Sequence, residues 1–429
     1  MKKTTNHFSA VLLLTLVYSS AFAGGYQINE HGARATGMGG AFVARALDGS
    51  AMYFNAAGLG FQKGFNVLVG TTLIFPSSTF TGPGAATTEA KMVSQVFYPS
   101  NLYASYGVND QLVVGLGVYN PFGLGTEWDK DWVGRRLSVK TDLQTFYINP
   151  TVAYKINDDL SVGAGVSYVL ANAKINYRVP TYSSLAPPTP AAKDGTAGLE
   201  GDGNGISFNV GVIYKPMENL SVGASYRSLV DIEFTGDATF TDMQSLQSFF
   251  PGGEGKVSLP MPSNLQVGVA YDVIPELTLE VDYQLVGWSA YDKLEITLPT
   301  GPAAPAGLGG QPLQKSPAPS IKNWKDGSLI RLGGEYKVNE ELQLRAGYIR
   351  DITPQPTDKM EPMLPDADRN DLSIGAGYKI NENLTVDASY LLVLFADRTS
   401  TYKPTTTTSF DGTYKSSVNL VSLNIGYQF

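Results

Sequence analysis

The sequence predicts an all-β transmembrane protein, a 14-stranded antiparallel outer-membrane β-barrel whose lumen holds an N-terminal plug, or hatch. Three observations lead there. A tyrosine–leucine pair recurs across short polar turns, polar and apolar residues alternate after each turn, and a small-residue stretch near the N-terminus follows neither pattern.

The repeat places a tyrosine six positions before a leucine, as Tyr106 and Leu112, Tyr154 and Leu160, Tyr214 and Leu220, Tyr271 and Leu277, Tyr336 and Leu342, and Tyr378 and Leu384. Residues such as Asn157-Asp158-Asp159, Pro216-Met217-Glu218-Asn219 and Asn381-Glu382-Asn383 lie between, and they favour tight reversals. Each unit therefore reads as a short hairpin turn. After the turn, Leu384, Val386, Ala388 and Tyr390 share one face while Thr385, Asp387 and Ser389 share the other. Leu277, Leu279, Val281 and Tyr283 alternate likewise with Thr278, Glu280 and Asp282, and Leu342, Leu344, Ala346 and Tyr348 with Gln343 and Arg345. A strand dividing lipid from a wet lumen needs this period of two. The tyrosines beside the turns fall at headgroup level, as an aromatic girdle.

Six hairpins supply twelve strands, and residues 65–80 and 414–429 supply one more at each end. An even count with both termini on the periplasmic side suits an outer-membrane barrel. Closure follows, because an open sheet edge in lipid leaves backbone groups without partners. The longer connections, including 180–202, 239–255, 299–320 and 352–366, are expected outside the cell. The chain ends Leu423, Ile425, Tyr427, Phe429, which resembles the signal read by barrel-assembly machinery; an ordinary last strand has the same alternation.

Residues 1–23 read as a cleavable signal peptide, with Lys2 and Lys3 ahead of an apolar run at 10–17 and the small-residue site Ala21-Phe22-Ala23. The run is too short for a spanning helix, which needs roughly 20 apolar residues. A net charge of −8 argues against a nucleic-acid partner. With no cysteine, disulfides, thiolate metal sites and thiol nucleophiles are excluded. Of the two histidines, His7 leaves with the leader and only His31 remains, so neither a multi-histidine metal site nor a Ser-His-Asp arrangement in the wall is expected. No cofactor, metal or enzymatic activity is expected.

Residues 24–62 turn to small side chains, including Gly37, Gly39, Gly40, Ala56 and Ala57, mixed with Phe42, Met52, Tyr53 and Phe54. A fourteen-strand barrel leaves a channel unless something fills it, and this composition suits short helices and turns packed in a narrow lumen. The domains are then a leader (1–23), a hatch (24–62) and a barrel (63–429). No P-loop lysine follows the glycines, so they are not a phosphate cradle. At 242–250, Met243, Leu246, Phe249 and Phe250 recur at helical spacing between Thr241 and Pro251-Gly252; the face either collects lipid-like molecules or packs on a neighbouring loop. The third strand breaks at Asn120-Pro121-Phe122-Gly123, where proline cannot donate to a ladder. That break is a kink or a plain strand end.

These residues resemble the FadL family of outer-membrane transporters for long-chain fatty acids and other hydrophobic compounds. Gly25-Tyr26-Gln27-Ile28-Asn29-Glu30 looks like the family's mature N-terminus. Asn55-Ala56-Ala57-Gly58-Leu59 looks like its Asn-Pro-Ala hatch motif, with Ala56 in place of proline. Further matches are Ala173-Lys174-Ile175, Leu259-Pro260-Met261-Pro262-Ser263-Asn264 leading to Trp288-Ser289, Ile330-Arg331-Leu332-Gly333-Gly334-Glu335-Tyr336 and Pro365-Asp366-Ala367-Asp368-Arg369. The resemblance implies ligand capture on extracellular loops, passage to an inner pocket, and release through a gap beside a kinked third strand. It implies that Tyr26 lines the pocket and that Arg178 meets a fatty-acid carboxylate. It also implies a lysine partner before the tenth strand, where Lys315, Lys322 and Lys325 compete. The expected partners are a hydrophobic small molecule and outer-membrane lipids, with the barrel a monomer. A general diffusion porin and an aromatic hydrocarbon channel are the alternatives.

Overall fold

The computed structural model describes residues 24–84, 86–185, 187–404 and 408–429; the expected leader lies outside them. Fourteen strands make the wall: β1 (Phe65–Thr81), β2 (Ser100–Gly107), β3 (Leu112–Tyr119, resuming as Gly123–Glu127), β4 (Lys140–Lys155), β5 (Leu160–Val179), β6 (Gly195–Met217) and β7 (Leu220–Arg227, resuming as Val230–Thr241). The circuit continues with β8 (Gly253–Met261, resuming as Asn264–Ile274), β9 (Leu277–Val286), β10 (Gly327–Lys337), β11 (Leu342–Asp351), β12 (Arg369–Lys379), β13 (Leu384–Phe395) and β14 (Gly412–Gln428). Each pairs antiparallel with its successor. β14 returns to β1 along a ladder from Asn66 opposite Gln428 to Thr81 opposite Thr413, which closes the barrel.

The wall is inside-out relative to a water-soluble protein. Val69, Leu102, Val114, Val166, Val281, Leu344 and Leu423 stand exposed on the outer face, while Asn149, Ser167, Asp282, Gln284, Arg331 and Glu335 are buried on the inner one. Lipid outside and polar contacts inside require that inversion. The six repeat tyrosines all point outward and are exposed. In four of the turns an asparagine three residues after the tyrosine sets the reversal. The side-chain oxygens of Asn109, Asn157, Asn339 and Asn381 accept the amides of Leu112, Leu160, Leu342 and Leu384 at 2.7–2.9 Å. That local bond fixes the six-residue spacing.

Two expected loop boundaries move. β5 and β6 continue to Val179 and from Gly195, so 195–202 is strand, and β8 likewise begins at Gly253. These strand ends include outward charged residues that do not match lipid, such as Lys174 paired with Glu200, so the apolar alternation stops before the ladder does. The α-helices are short and lie in the N-terminal stretch: α1 (Ala33–Gly37) and α2 (Ala51–Phe54), with a 3-10 helix at Ala56–Phe61. Among the described residues no helix is long and apolar enough to cross a membrane.

Candidate functional site

Inward side chains from much of the circuit hold residues 24–62. Asp282 on β9 accepts the amides of Phe42 and Val43 at 2.8 and 3.0 Å, and Glu280 accepts that of Ala44 at 2.7 Å. Glu335 on β10 is shared by Arg34 (2.9 Å), Arg45 (3.3 Å) and Arg345 of β11 (2.7 Å). The hydroxyls of Ser161, Ser221 and Ser373 donate to the carbonyls of Ala57, Ala44 and Gly37 at 2.7, 2.7 and 3.0 Å. Asn55 is fully buried. Its amide donates to the carbonyls of Val43 and Val212, and its oxygen caps the 3-10 helix at the Ala57 amide. Ala56 takes the first position of that helix, where proline's missing N–H would make no difference. Gly37 packs on Gly375. Gly39, at φ +65°, packs on Gly347, where a Cβ would lie 2.1 Å from the Gly39 nitrogen. His31 contacts the Ile28 carbonyl at 2.9 Å and stacks near Tyr53. Burial pushes its pKa down to about 3, the Ile28 contact opposing and Arg227 adding to the fall.

The break in β3 is an interruption, not a strand end. Tyr119 faces Tyr147 and Gly123 faces Gln144, so four steps along β3 match three along β4, and the extra residue bulges. Asn120 holds the bend, accepting the Ser100 amide and donating to the Thr145 carbonyl at 2.6 Å. The segment inside joins it: Ile28 donates to the Pro121 carbonyl and Gly123 to the Tyr26 carbonyl, each at 2.9 Å. Toward β2, the ladder stops at Leu102 opposite Val118, and the next backbone bond is from Val93 to Glu127. The ring of Phe97 lies in that opening, against Gly125.

Beside the opening is a cavity of about 640 Å3, its mouth included. Leu124, Leu143, Ile175, Phe234, Val257, Leu259, Leu294 and Leu364 make it predominantly apolar. Tyr26 forms part of the lining, its hydroxyl donating to the Pro260 carbonyl and its ring set among Trp288 (4.6 Å), Tyr291 (5.9 Å) and Phe122 (6.1 Å). Gly25, at φ +69°, passes close against Trp288 and Trp324. Lys322 and Glu361 form an ion pair in the lining, with Gln355 also there. Burial opposes the Lys322 ammonium, yet Tyr291 and Glu361 outweigh it and hold its pKa above the ordinary lysine value.

Of the residues singled out by sequence, the cavity gathers Tyr26, while Phe122 packs on Tyr26. Lys315 and Lys325 are exposed; Lys322 is the competing lysine that lines the cavity. Arg178 sits near the top of β5 and donates to Thr196 and the Lys130 carbonyl. The inward positions of β5 are odd-numbered, so the even-numbered Arg178 is not brought to the cavity with Ala173 and Ile175. The face at 242–250 does not stand open. Met243, Leu246 and Phe250 are buried against Val179, Tyr182, Leu185, Leu308 and Leu313, with Phe249 half-buried beside them. Positive φ at Asp242 and Gln244 prevents a continuous helix, leaving only a 3-10 turn at Gln247–Phe249. Sequence reasoning missed Glu361, Phe234 and Trp324. Loop residues such as Glu361 carry no periodic signal.

The family described as "Outer membrane protein transport protein (OMPP1/FadL/TodX)" matches residues 14–429. The chain belongs to this family. It is an outer-membrane protein of the Gram-negative type, as its named relatives are. It is 28% identical over 450 residues to the 47 kDa outer membrane protein of Pasteurella multocida, covering 99% of each chain. It is 27% identical over 387 residues to a long-chain fatty acid transport protein of Escherichia coli, covering 83% of each. Among solved structures, a FadL homologue of Pseudomonas aeruginosa superposes with a TM-score of 0.82 at 19% identity, covering 95% of this chain and 100% of that one. The Pseudomonas putida toluene transporter TodX gives 0.73 at 17%, with the same coverage. Both structures share the fold. Members of this family are transport proteins for hydrophobic compounds.

Proposed function

We propose that this chain takes up hydrophobic small molecules, such as long-chain fatty acids or related compounds, by loop capture, transfer to the cavity beside the β3 interruption, and release gated by residues 24–62. The observation that carries this reading is the cavity itself: an apolar chamber lined in part by Tyr26 and adjoining an unpaired stretch of wall. A ligand buried there keeps about 0.8 kcal/mol per methylene that it would lose on returning to water. A sideways path into lipid through the opening at Phe97 spares it that loss. Residues 24–62 act as the plug, and the bonds from Tyr26 and Ile28 to the β3 break tie the plug to the exit. The buried face of Met243, Leu246, Phe249 and Phe250 captures ligand only if the loops over it part. The Phe429 end serves the assembly machinery.

Mass spectrometry of compounds extracted with the purified full chain tests the reading. Recovery of stoichiometric hydrophobic ligand, lost when Leu143 or Val257 is changed to aspartate, is the expected result. A ligand-free protein with a large steady conductance, unchanged on deleting 24–62, would instead mark a diffusion porin.

A further inference from the structure

The lysine on the cavity lining, the one among the described residues, is already engaged. Lys322 is 3% exposed and Glu361 is 12% exposed, and they are joined as a buried ion pair. Glu361 does not reach the cavity as a loose loop acid. Its neighbours are pinned: Ser400 donates to the Met360 carbonyl at 2.7 Å, the Trp128 indole to Pro362 at 3.1 Å, and Thr126 to Met363 at 2.8 Å. Lys322 is fixed from its own side, its amide donating to the Asp292 carbonyl at 2.7 Å. Among the described residues the lining has no arginine, and its one other charged residue, Asp142, is acidic.

An anionic ligand seeking Lys322 would have to separate this pair and leave the Glu361 carboxylate buried without a cation. Breaking a buried pair in that way is strongly unfavourable. An uncharged ligand leaves the pair intact and gains the whole apolar lining.

We propose that Glu361 is the charge-specificity determinant of the cavity: by holding Lys322 it makes the site select uncharged hydrophobic molecules, such as protonated fatty acids, esters, alcohols or hydrocarbons, over carboxylate anions. This rests on the reading of the cavity as the ligand site. Removing the Glu361 charge frees Lys322 and turns the same chamber toward anions.

The test compares methyl decanoate with undecanoate, which carries the same number of carbons, at about pH 8, where the acid is ionised. Binding to the full chain in phosphatidylcholine nanodiscs is read from the fluorescence of Trp324 and Trp288. The wild type should prefer the ester by about tenfold or more, and Glu361→Gln should erase or invert that ratio. The double variant Lys322→Met/Glu361→Met, with both charges gone, should keep the ester preference. Undecanoate bound by the wild type as tightly as the ester would overturn the proposal, with no variant needed. So would a folded, heat-modifiable Glu361→Gln protein with an unchanged ratio. If the wild type binds neither ligand, the uptake reading falls as well, whereas tight binding of undecanoate leaves it standing.

Discussion

The lower and upper halves of the bore are lined by the same strands but by different chemistry. From its turn upward, β9 presents Thr278, Glu280, Asp282 and Gln284 to the interior, then Val286, followed by Trp288 just beyond the strand. β7 presents Ser221, Gly223, Ser225 and Arg227, then Val230, Ile232 and Phe234, and β5 passes from Ser161 and Gly163 to Val169, Ala171 and Ile175. The lower positions bind backbone amides, carbonyls and arginines of the N-terminal segment; the upper ones are apolar, and Phe234 and Ile175 among them line the cavity. Alternation makes the wall, and the polarity of the inward residues along its height decides what the wall encloses. One half holds peptide, and the other surrounds a predominantly apolar space.

That contrast can be broken from the lower side first. Glu335→Ala leaves Arg34 and Arg45 without their carboxylate, while Arg345 keeps Asp387, and should cost about 3–5 kcal/mol of local stability, the usual penalty for an uncompensated buried charge. Hydrogen exchange across 24–62 should accelerate accordingly, with the wall strands unaffected; equal protection in the variant would show that the arginines do not anchor the segment. Next in size, Gly347→Val drives a side chain into the Gly39 backbone and should cost about 1–3 kcal/mol. Brief protease treatment should then cut within 24–62 of the folded barrel, and resistance equal to the wild type would count against the close fit.

From the upper side, Phe234→Ala widens the cavity and should weaken a ligand that packs on that ring by about 1–2 kcal/mol. Exchange in 24–62 should stay as it was, so a parallel change there would mean that the halves are not separable. Near neutral pH the smallest effect is that of protonation. His31 has a native pKa of about 3 against an ordinary 6.5, so the segment holds it neutral while the released chain takes up a proton. Its contribution is complete above 6.5 and lost as pH falls toward 3. Exchange protection of 24–62, corrected for intrinsic rates, should decline over that window in the wild type and stay flatter in His31→Gln.

The wall was legible because lipid imposes a period of two and the turn asparagines impose a fixed spacing, both of which are local. The break at Pro121 was visible too. Its continuation at Gly123 was not, since that depends on the register with β4, one residue out of step. The spacing of Met243, Leu246 and Phe250 marked a shared face but not its burial, which the loops at 179–185 and 308–313 decide. Tyr26 was found through its family likeness. Lys322 could not be told from Lys315 and Lys325, nor Glu361 found at all, because the pair joins two loops whose paths are set by distant contacts such as Trp128 with Pro362.

The seam between β1 and β14 joins residues 66–81 to residues 413–428. Its two sides are the first and last strands of the wall, so neither can find its partner until the intervening chain has been delivered. Until then both margins present unsatisfied amides and carbonyls to each other's competitors, and pairings so distant along the chain form slowly. Completion is therefore a single terminal event, and a chain cut short before residue 413 would remain an open sheet with nothing to zip against.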